Sequence, residues 1–236
     1  MVIFNIATVP YRTASFMNVL GCLSKQTVQP NCLNIAFSYE PSDAILEFCH
    51  TQFPVGRIIV GTFTAAAKMF AVDDVPNDSY FITFDDDLKY PPDYVARLLS
   101  HLRTHRDEVV GFHGMSWPEF PVKEFYDRKL WQYFDDVYDN HEVHVIGTGV
   151  AGFYTDTLRQ HGFTYDYFNQ FPDHGNVNDM LFAQFLRDRG IRMTVLAHEK
   201  GWIHFFPGTQ DRQALWKQSP GNKVTEMLYL QRGQPI

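Results

Sequence analysis

The chain has 236 residues, of which 45% are hydrophobic and 20% are charged. It is therefore long enough and apolar enough to bury the core of one α/β domain. Its formal net charge of −7 argues against a nucleic-acid partner, whose phosphates would require an excess of lysine and arginine.

No run of apolar residues is long enough to span a bilayer, and the N-terminus lacks the basic flank and cleavage site of a signal peptide. The three cysteines, Cys22, Cys32 and Cys49, are an odd number without close pairing. This pattern is typical of reduced thiols. We therefore expect a cytoplasmic protein without a transmembrane segment.

The first half of the chain alternates between predicted strands and predicted helices. Runs of β-branched and aromatic residues predict strands over 2–7, 34–39, 57–60 and 80–84. Helices are predicted between them, including an alanine-rich helix over 61–70. The alternation predicts right-handed crossovers and a mostly parallel central sheet flanked by helices, with the ligand site at the carboxyl ends of the strands.

The strongest chemical signal lies at the end of the fourth predicted strand. Residues 80–84 are β-branched or aromatic without polar alternation, which predicts a strand buried on both faces. Three aspartates follow at once, at positions 85–87, without a basic neighbour in the sequence. Because adjacent carboxylates repel one another, we expect a cation to neutralise them, and Mg²⁺ and Mn²⁺ prefer oxygen ligands. A solvated acidic turn is the alternative.

This motif resembles that of a known family. Asp85-Asp86-Asp87 after an apolar strand, followed by a Tyr90-Pro91-Pro92-Asp93-Tyr94 helix start, is similar to the Asp-x-Asp motif of GT-A-fold glycosyltransferases. The resemblance is to family-2-like inverting enzymes that use nucleotide sugars, and it spans roughly residues 2 to 206. It implies a Mn²⁺ or Mg²⁺ cofactor, a UDP-sugar as donor, and a glycan or another hydroxyl compound as acceptor.

The resemblance also implies how the chain is divided. A GT-A-like domain is expected over residues 1–208, with a nucleotide-binding half at 1–107 and an acceptor-side half at 108–208. The polar residues 209–236 are expected to be a C-terminal arm, or a linker to a further domain. Eight aromatic residues between positions 117 and 138 are expected to lie over the acceptor side, or to form a small core of their own.

In the resembling family, the loop after the first strand contacts the base and the phosphates, and the end of the second strand lies near the base. This sequence has no aspartate at the end of its second strand, where many family members have one, so the identity of the base stays open. For each residue taken singly, an ordinary loop or surface role is the alternative. The residues implied for the nucleotide sugar are Thr8, Val9, Tyr11, Arg12, Tyr39, Lys68, Asp85, Asp86 and Gly149.

Two motifs in the second half are expected to complete the site. Asn178-Asp179 precedes an amphipathic helix, where inverting family members have two acids and the second is the catalytic base. The resemblance therefore implies Asp179 as base, with an ordinary helix start as the alternative. His204 matches a histidine that completes the metal shell in some GT-A enzymes, so the implied metal ligands are Asp87, Asp85 and His204.

The sequence from Gly147 to Gly152 has the Gly-x-Gly-x-x-Gly spacing of a dinucleotide fingerprint. We expect no dinucleotide there, because residues 153 and 154 continue like a strand instead of opening a helix. The small residues are expected to let the backbone approach the donor sugar closely.

Two histidine pairs, His101/His105 and His141/His144, have no third ligand at zinc spacing. We interpret both pairs as surface features.

The sequence thus predicts a metal-dependent glycosyltransferase. One alternative is a metal-dependent sugar nucleotidyltransferase, although the first loop lacks the glycine-rich, basic stretch that would hold a triphosphate. The other is a non-catalytic module that binds a sugar nucleotide or a glycan.

Overall fold

The computed structural model describes residues 1–119, 122–170 and 177–210. The strands are β1 (Val2–Thr8), β2 (Cys32–Phe37), β3 (Val55–Val60), β4 (Tyr80–Phe84), β5 (Leu88–Lys89), β6 (Glu108–Gly111), β7 (Gly114–Ser116), β8 (Lys129–Trp131), β9 (His141–Glu142), β10 (Val145–Ile146), β11 (Ala151–Tyr154), β12 (Arg192–Val195) and β13 (His204–Phe205). The α-helices are α1 (Thr13–Leu23), α2 (Asp43–Gln52), α3 (Tyr94–Leu102), α4 (Thr155–Arg159) and α5 (Asn178–Asp188).

Eight strands form a central sheet in the order β3-β2-β1-β4-β11-β6-β12-β9. The first four strands pair in parallel, as the predicted strand–helix alternation requires. β11 lies antiparallel between β4 and β6, β12 pairs in parallel with β6, and β9 pairs antiparallel with β12. The predicted α/β fold with a mostly parallel central sheet is confirmed.

Both faces of the sheet are covered, and β4 shows this most clearly. Phe81 packs into a hydrophobic cluster that contains the buried face of α5. Ile82 and Phe84 pack into a second cluster, which contains the apolar residues of α1 and α3. All three side chains are fully buried, as the absence of polar alternation in this strand predicts.

The alanine-rich segment differs from the prediction. It forms a short 3-10 helix at Ala65–Met69 instead of an α-helix over 61–70. The Thr64 hydroxyl accepts the N–H of Ala66 at 3.3 Å and so places the start of the helix at Ala65. Turns follow immediately after Met69, and Ala66, Ala67 and Met69 are buried in the same hydrophobic cluster as Phe81.

The chain after α3 is divided into two short strands, β6 in the central sheet and β7 in a separate sheet with β8 and β10. Two glycines make the division possible. A Cβ on Gly111 would lie 2.7 Å from the carbonyl oxygen of Val150, and a Cβ on Gly114 would lie 2.9 Å from that of Val145. The backbones therefore approach more closely than any other residue type would allow.

Within the described ranges, no helix is both long enough and apolar enough to cross a membrane. Cys22, Cys32 and Cys49 are free. Positions 211–236 of the expected C-terminal arm lie outside the described residues.

Candidate active site

The acidic triplet lies where β4 ends, at the carboxyl edge of the sheet. Phe84, the last residue of β4, is held in an aromatic cluster, with ring centroids 4.9 Å from Phe4, 5.0 Å from Tyr90 and 5.6 Å from Tyr94. The predicted helix start after Pro91-Pro92 is confirmed, since α3 begins at Tyr94. The triplet therefore has a rigid, apolar base.

Tyr90 fixes the backbone of the triplet. Its buried hydroxyl accepts the N–H of Asp85 at 2.7 Å and donates to the carbonyl oxygen of Gly149 at 2.7 Å. Gly149 lies so close to Asp85 that a Cβ would stand 1.8 Å from Asp85 Oδ2. The glycine at this position therefore lets the backbone approach Asp85, and the expected approach to the donor sugar stays a prediction.

Two basic side chains from distant parts of the chain neutralise the triplet. Arg12, after β1, forms an ion pair with Asp87, and Lys68 forms one with Asp85. Burial lowers the pKa of Lys68, but Asp85 and Asp179 outweigh this effect and the pKa is raised. The triplet has no basic residue beside it in the sequence, but in the folded chain two basic residues from distant positions lie beside it.

Asp86 differs from its neighbours in its partner, because no basic side chain forms an ion pair with it among the described residues. Burial, together with the adjacent charge of Asp87, raises the pKa of Asp86 to about 7. The Thr8 hydroxyl donates to Asp86 Oδ2 at 2.8 Å. Asp86 is thus attached to the end of β1.

Asp179 lies at the start of α5 and is held by the turn before β11. Thr148 donates both its N–H, at 2.9 Å, and its hydroxyl, at 2.6 Å, to Asp179 Oδ1. The Asn178 amide donates to the Thr148 hydroxyl at 2.7 Å and to Asp179 Oδ1 at 3.2 Å. Asn178 therefore supplies hydrogen-bond donors where an acid in its place would repel Asp179.

The structure brings Asp179 into the same site as the triplet. Lys68 interacts electrostatically with both Asp85 and Asp179, and His113 lies in the field of the same two carboxylates. Burial lowers the pKa of His113, and its Nδ1 is buried without a hydrogen-bond partner among the described residues. Burial, and then Asp85, Asp87 and Asp179, raise the pKa of Tyr133.

Sequence reasoning did not single out His113, Tyr90, Thr148 or Tyr133 as site residues. Tyr133 belongs to the aromatic segment that was expected to lie over the acceptor side, and its position beside the triplet is consistent with that expectation. His113 follows β6 with no motif around it, so no local signal could have identified it.

Tyr11 and Tyr39 were expected near the base, and Val9 near the nucleotide sugar. Tyr11 is half-exposed and, with Arg12, lines a cavity of about 230 Å³ that is closed on its other side by Phe206 and Thr209. The Tyr39 hydroxyl accepts a hydrogen bond from Thr13 at 3.1 Å. Val9 precedes a 3-10 helix over Pro10–Arg12.

His204 is exposed, and its Nδ1 lies 3.2 Å from the carbonyl oxygen of Gly201. The backbone brings it near the triplet, because His204 pairs with Lys89 and the N–H of Phe206 donates to the carbonyl oxygen of Asp87 at 2.9 Å. In the part of the chain that the structure describes, however, His204 does not form a three-ligand group with Asp85 and Asp87. Ligation by His204 stays a prediction.

The site fits a hard divalent ion that is held by few protein ligands. Asp85 and Asp87 supply carboxylate oxygens at an open sheet edge, and such ions take one or two carboxylates and complete their shell with phosphate and water. Gln210 donates to Asp87 Oδ2 at 3.0 Å, next to the Arg12 pair. A bound ion would have to share these carboxylates with Arg12 and Lys68.

Comparison with solved structures defines the class of fold. The chain is similar to the crystal structure of GalNAc-T7 with UDP, GalNAc and Mn²⁺, with a TM-score of 0.61 and 8% identity over 86% of this chain and 45% of that one. It is also similar to TarS of S. aureus, with a TM-score of 0.55 and 10% identity over 84% of this chain and 35% of that one. The chain thus spans less than half the length of either protein. No curated protein matches the sequence.

The fold is of the GT-A type that these two structures share. The family described as Glycosyl transferase family 2 matches residues 38–162, which is more than half of the chain. The protein belongs to this family. The match includes the triplet, Lys68 and Gly149 but neither Arg12 nor Asp179.

Tyr90→Phe tests the hydroxyl that joins the triplet to Gly149. The change leaves the N–H of Asp85 and the carbonyl of Gly149 without their shared partner, so we expect a loss of about 1–3 kcal/mol in the free energy of unfolding. Urea unfolding measures it. Tyr94→Phe is the matched control, because the buried Tyr94 hydroxyl has no hydrogen-bond partner in the described ranges. Equal effects of the two substitutions would contradict the role given to Tyr90.

Gly149→Ala tests the close approach to Asp85. The added methyl group must displace the Asp85 carboxylate, and a misplacement of about 1 Å can reduce turnover by ~10². Hydrolysis of a nucleotide sugar measures the loss. Gly21→Ala is the control, because a Cβ on Gly21 meets nothing within 4 Å. A Gly149→Ala variant with unchanged turnover would show that Asp85 has no fixed position in the reaction.

Proposed function

We propose that this glycosyltransferase moves a sugar from a UDP-sugar to a hydroxyl of a glycan or another acceptor, with inversion and with Mn²⁺ or Mg²⁺. One observation supports the proposal most strongly. Residues 148 and 149 join the two chemical centres, because Thr148 holds Asp179 while Gly149 contacts Asp85. A donor at the triplet and an acceptor at Asp179 would therefore be adjacent.

Asp87 and Asp85 would hold the divalent ion, with His204 as an additional ligand. When bound, such an ion neutralises the charge that develops on the leaving nucleoside diphosphate. The GalNAc-T7 structure contains UDP and Mn²⁺ together, which supports this choice of donor and ion. The free cysteines support a cytoplasmic location as part of the same proposal.

Arg12 and Lys68 would bind the diphosphate. Both cations already lie beside the carboxylates that would hold the ion. With a divalent ion also held by Asp85 and Asp87, Arg12 and Lys68 would share those carboxylates with the ion. Their remaining N–H groups would donate to phosphate oxygens. Tyr11, beside the cavity next to Arg12, and Tyr39 would contact the base.

Asp179 would act as the general base. Its Oδ1 accepts the hydrogen bonds from Thr148 and Asn178, so Oδ2 is the oxygen that we assign to the proton of the acceptor hydroxyl. Attack by the acceptor on the opposite side from the leaving diphosphate then inverts the anomeric carbon in one displacement.

Ligand-dependent stability and turnover test the proposed function together. UDP-sugars with Mn²⁺ should raise the melting temperature, since a ligand that binds only the folded state stabilises it by mass action. Slow hydrolysis of the UDP-sugar to UDP would identify a transferase. Consumption of UTP would indicate a nucleotidyltransferase instead, and stabilisation without any turnover would indicate a binding module.

Asp87→Asn tests the metal ligand. The amide keeps the size of the side chain but removes the charge that attracts the ion and Arg12, so we expect the Mn²⁺-dependent part of the UDP thermal shift to disappear. Thermal unfolding with UDP, with and without Mn²⁺, measures this. The exposed Asp107, at the other edge of the sheet, gives the control Asp107→Asn. A full Mn²⁺-dependent shift in Asp87→Asn would refute the assignment.

Asp179→Asn tests the base. A positioned base typically contributes about 10² to 10⁴ in rate, and we expect turnover to fall by that factor because the amide cannot accept the proton. UDP affinity should stay close to that of the wild type. Both quantities are measured on one preparation, by steady-state transfer and by calorimetry.

Asp188→Asn, at the exposed end of the same helix, is the control for this substitution. Near-wild-type transfer by Asp179→Asn would place the base on another residue. A parallel loss of UDP affinity would mean that Asp179 belongs to the donor site.

A further inference from the structure

A second group of metal-ligating side chains lies away from the acidic triplet. His101 belongs to the last turn of α3, His105 follows the helix, and Glu108 begins β6. Their ligand atoms all lie within 4.8 Å of one another, and no other such group of three occurs among the described residues. The sequence analysis found no third ligand at zinc spacing for His101 and His105, but the fold brings a carboxylate from the next strand beside them.

The group lies at the opposite edge of the sheet from the proposed active site. β11 pairs with both β4 and β6, and its register places Phe81 and Val109 at the same level. Glu108 is therefore level with Tyr80, five residues before Asp85. At about 3.3 Å per residue, the two sites are ~16 Å apart along the strand direction.

The ligand atoms of the three side chains lie close enough together to meet on one small ion. In a tetrahedral zinc site, with bonds of about 2.0–2.2 Å, neighbouring ligand atoms are about 3.4 Å apart. His101 Nε2 and Glu108 Oε2 are 3.1 Å apart and form a hydrogen bond that an ion would replace. The rings of His101 and His105 stack at 4.2 Å and 16°, so one ring has to turn for both imidazoles to point at one ion.

The surroundings of the three side chains resemble the outer shell of a metal site. Ligating histidines usually engage their second ring nitrogen with a carbonyl or a carboxylate, and ligating carboxylates are hydrogen-bonded in turn. His105 Nδ1 lies 3.3 Å from the carbonyl oxygen of His101. Thr194 donates to Glu108 Oε2 at 2.7 Å, and Arg192 pairs with Glu108 Oε1.

We propose that His101, His105 and Glu108 bind a zinc ion, or another divalent ion that prefers imidazole nitrogen, with water as the fourth ligand. His101 Nε2, His105 Nε2 and Glu108 Oε2 are the ligand atoms. Because Glu108 is buried while the histidines are partly exposed, the ion enters from solvent and attaches the end of α3 to the start of β6. This role is structural and does not depend on the proposed transfer reaction.

The choice of ion follows from the ligand set. Two imidazoles and one carboxylate suit Zn²⁺, Co²⁺ and Ni²⁺, whereas Mg²⁺ and Mn²⁺ favour sites made of oxygen. The two ends of the sheet would thus select different metals. Arg192 remains on the other oxygen of Glu108, so the site should hold its ion less tightly than one with an unshared carboxylate.

Calorimetry of untagged, chelator-treated protein with ZnCl₂ tests the proposal. Wild-type protein should bind one zinc ion that excess Mg²⁺ does not displace, and zinc should raise its melting temperature. We expect His105→Gln and His101→Gln each to weaken this binding at least about tenfold, since even the loss of an outer-shell partner costs 10–100-fold. Both variants should keep wild-type hydrolysis of the nucleotide sugar.

His50→Gln is the matched control, because His50 is exposed in the last turn of another helix, α2. Co²⁺ gives a second readout, since a site of low coordination number with nitrogen ligands has visible absorption that a carboxylate site lacks. Loss of this absorption in His105→Gln but not in His50→Gln would support the site. Absence of zinc binding by the wild type, or equal zinc affinity in wild type and His105→Gln, would overturn it.

Discussion

The repulsion among three carboxylates at the end of a buried strand is the constraint on which this structure depends. β4 is apolar on both faces and cannot itself solvate the charges that follow it. Two cations from separate segments pair with the triplet. Arg12 lies after β1, and Lys68 lies in the 3-10 helix that packs against the sheet. These contacts supply the counter-charges for Asp87 and Asp85 within the fold.

The short turn at residues 148 and 149 couples the two halves of the site. Its glycine allows the backbone to lie against Asp85, and its threonine orients Asp179 through two hydrogen bonds. Tyr90 closes the connection, since its hydroxyl bridges the N–H of Asp85 and the carbonyl of Gly149. A displacement at either centre is therefore transmitted to the other through a few rigid contacts. The Gly-x-Gly-x-x-Gly spacing that resembles a dinucleotide fingerprint serves this approach and leads into the strand β11.

The sequence predicted the parts of the fold that depend on local pattern. The unbroken apolar strand before the triplet, the helix start after Pro91-Pro92 and the helix from Asn178 were all visible in residue spacing, because periodicity and proline act over a few residues. The alanine-rich segment was predicted incorrectly, because helix propensity is a weak signal that tertiary contacts override, and this segment is largely buried. Likewise, the sequence did not show that Glu108 lies beside the histidine pair. Zinc spacing patterns concern histidine and cysteine positions along the chain, whereas Glu108 is brought there by the strand that follows the helix.

The sequence by itself determined the class of protein: an acidic triplet on a buried strand, in an α/β alternation, already indicates a family 2 glycosyltransferase. Tertiary structure alone decided what balances and orients the triplet. Arg12 and Lys68 are separated from it by 75 and 17 residues, and Thr148 lies 31 residues from Asp179. Such partners cannot be recognised from residue spacing in the sequence, because these hydrogen bonds and ion pairs form only where parallel strands end at a common edge. That edge exists only once the sheet has formed.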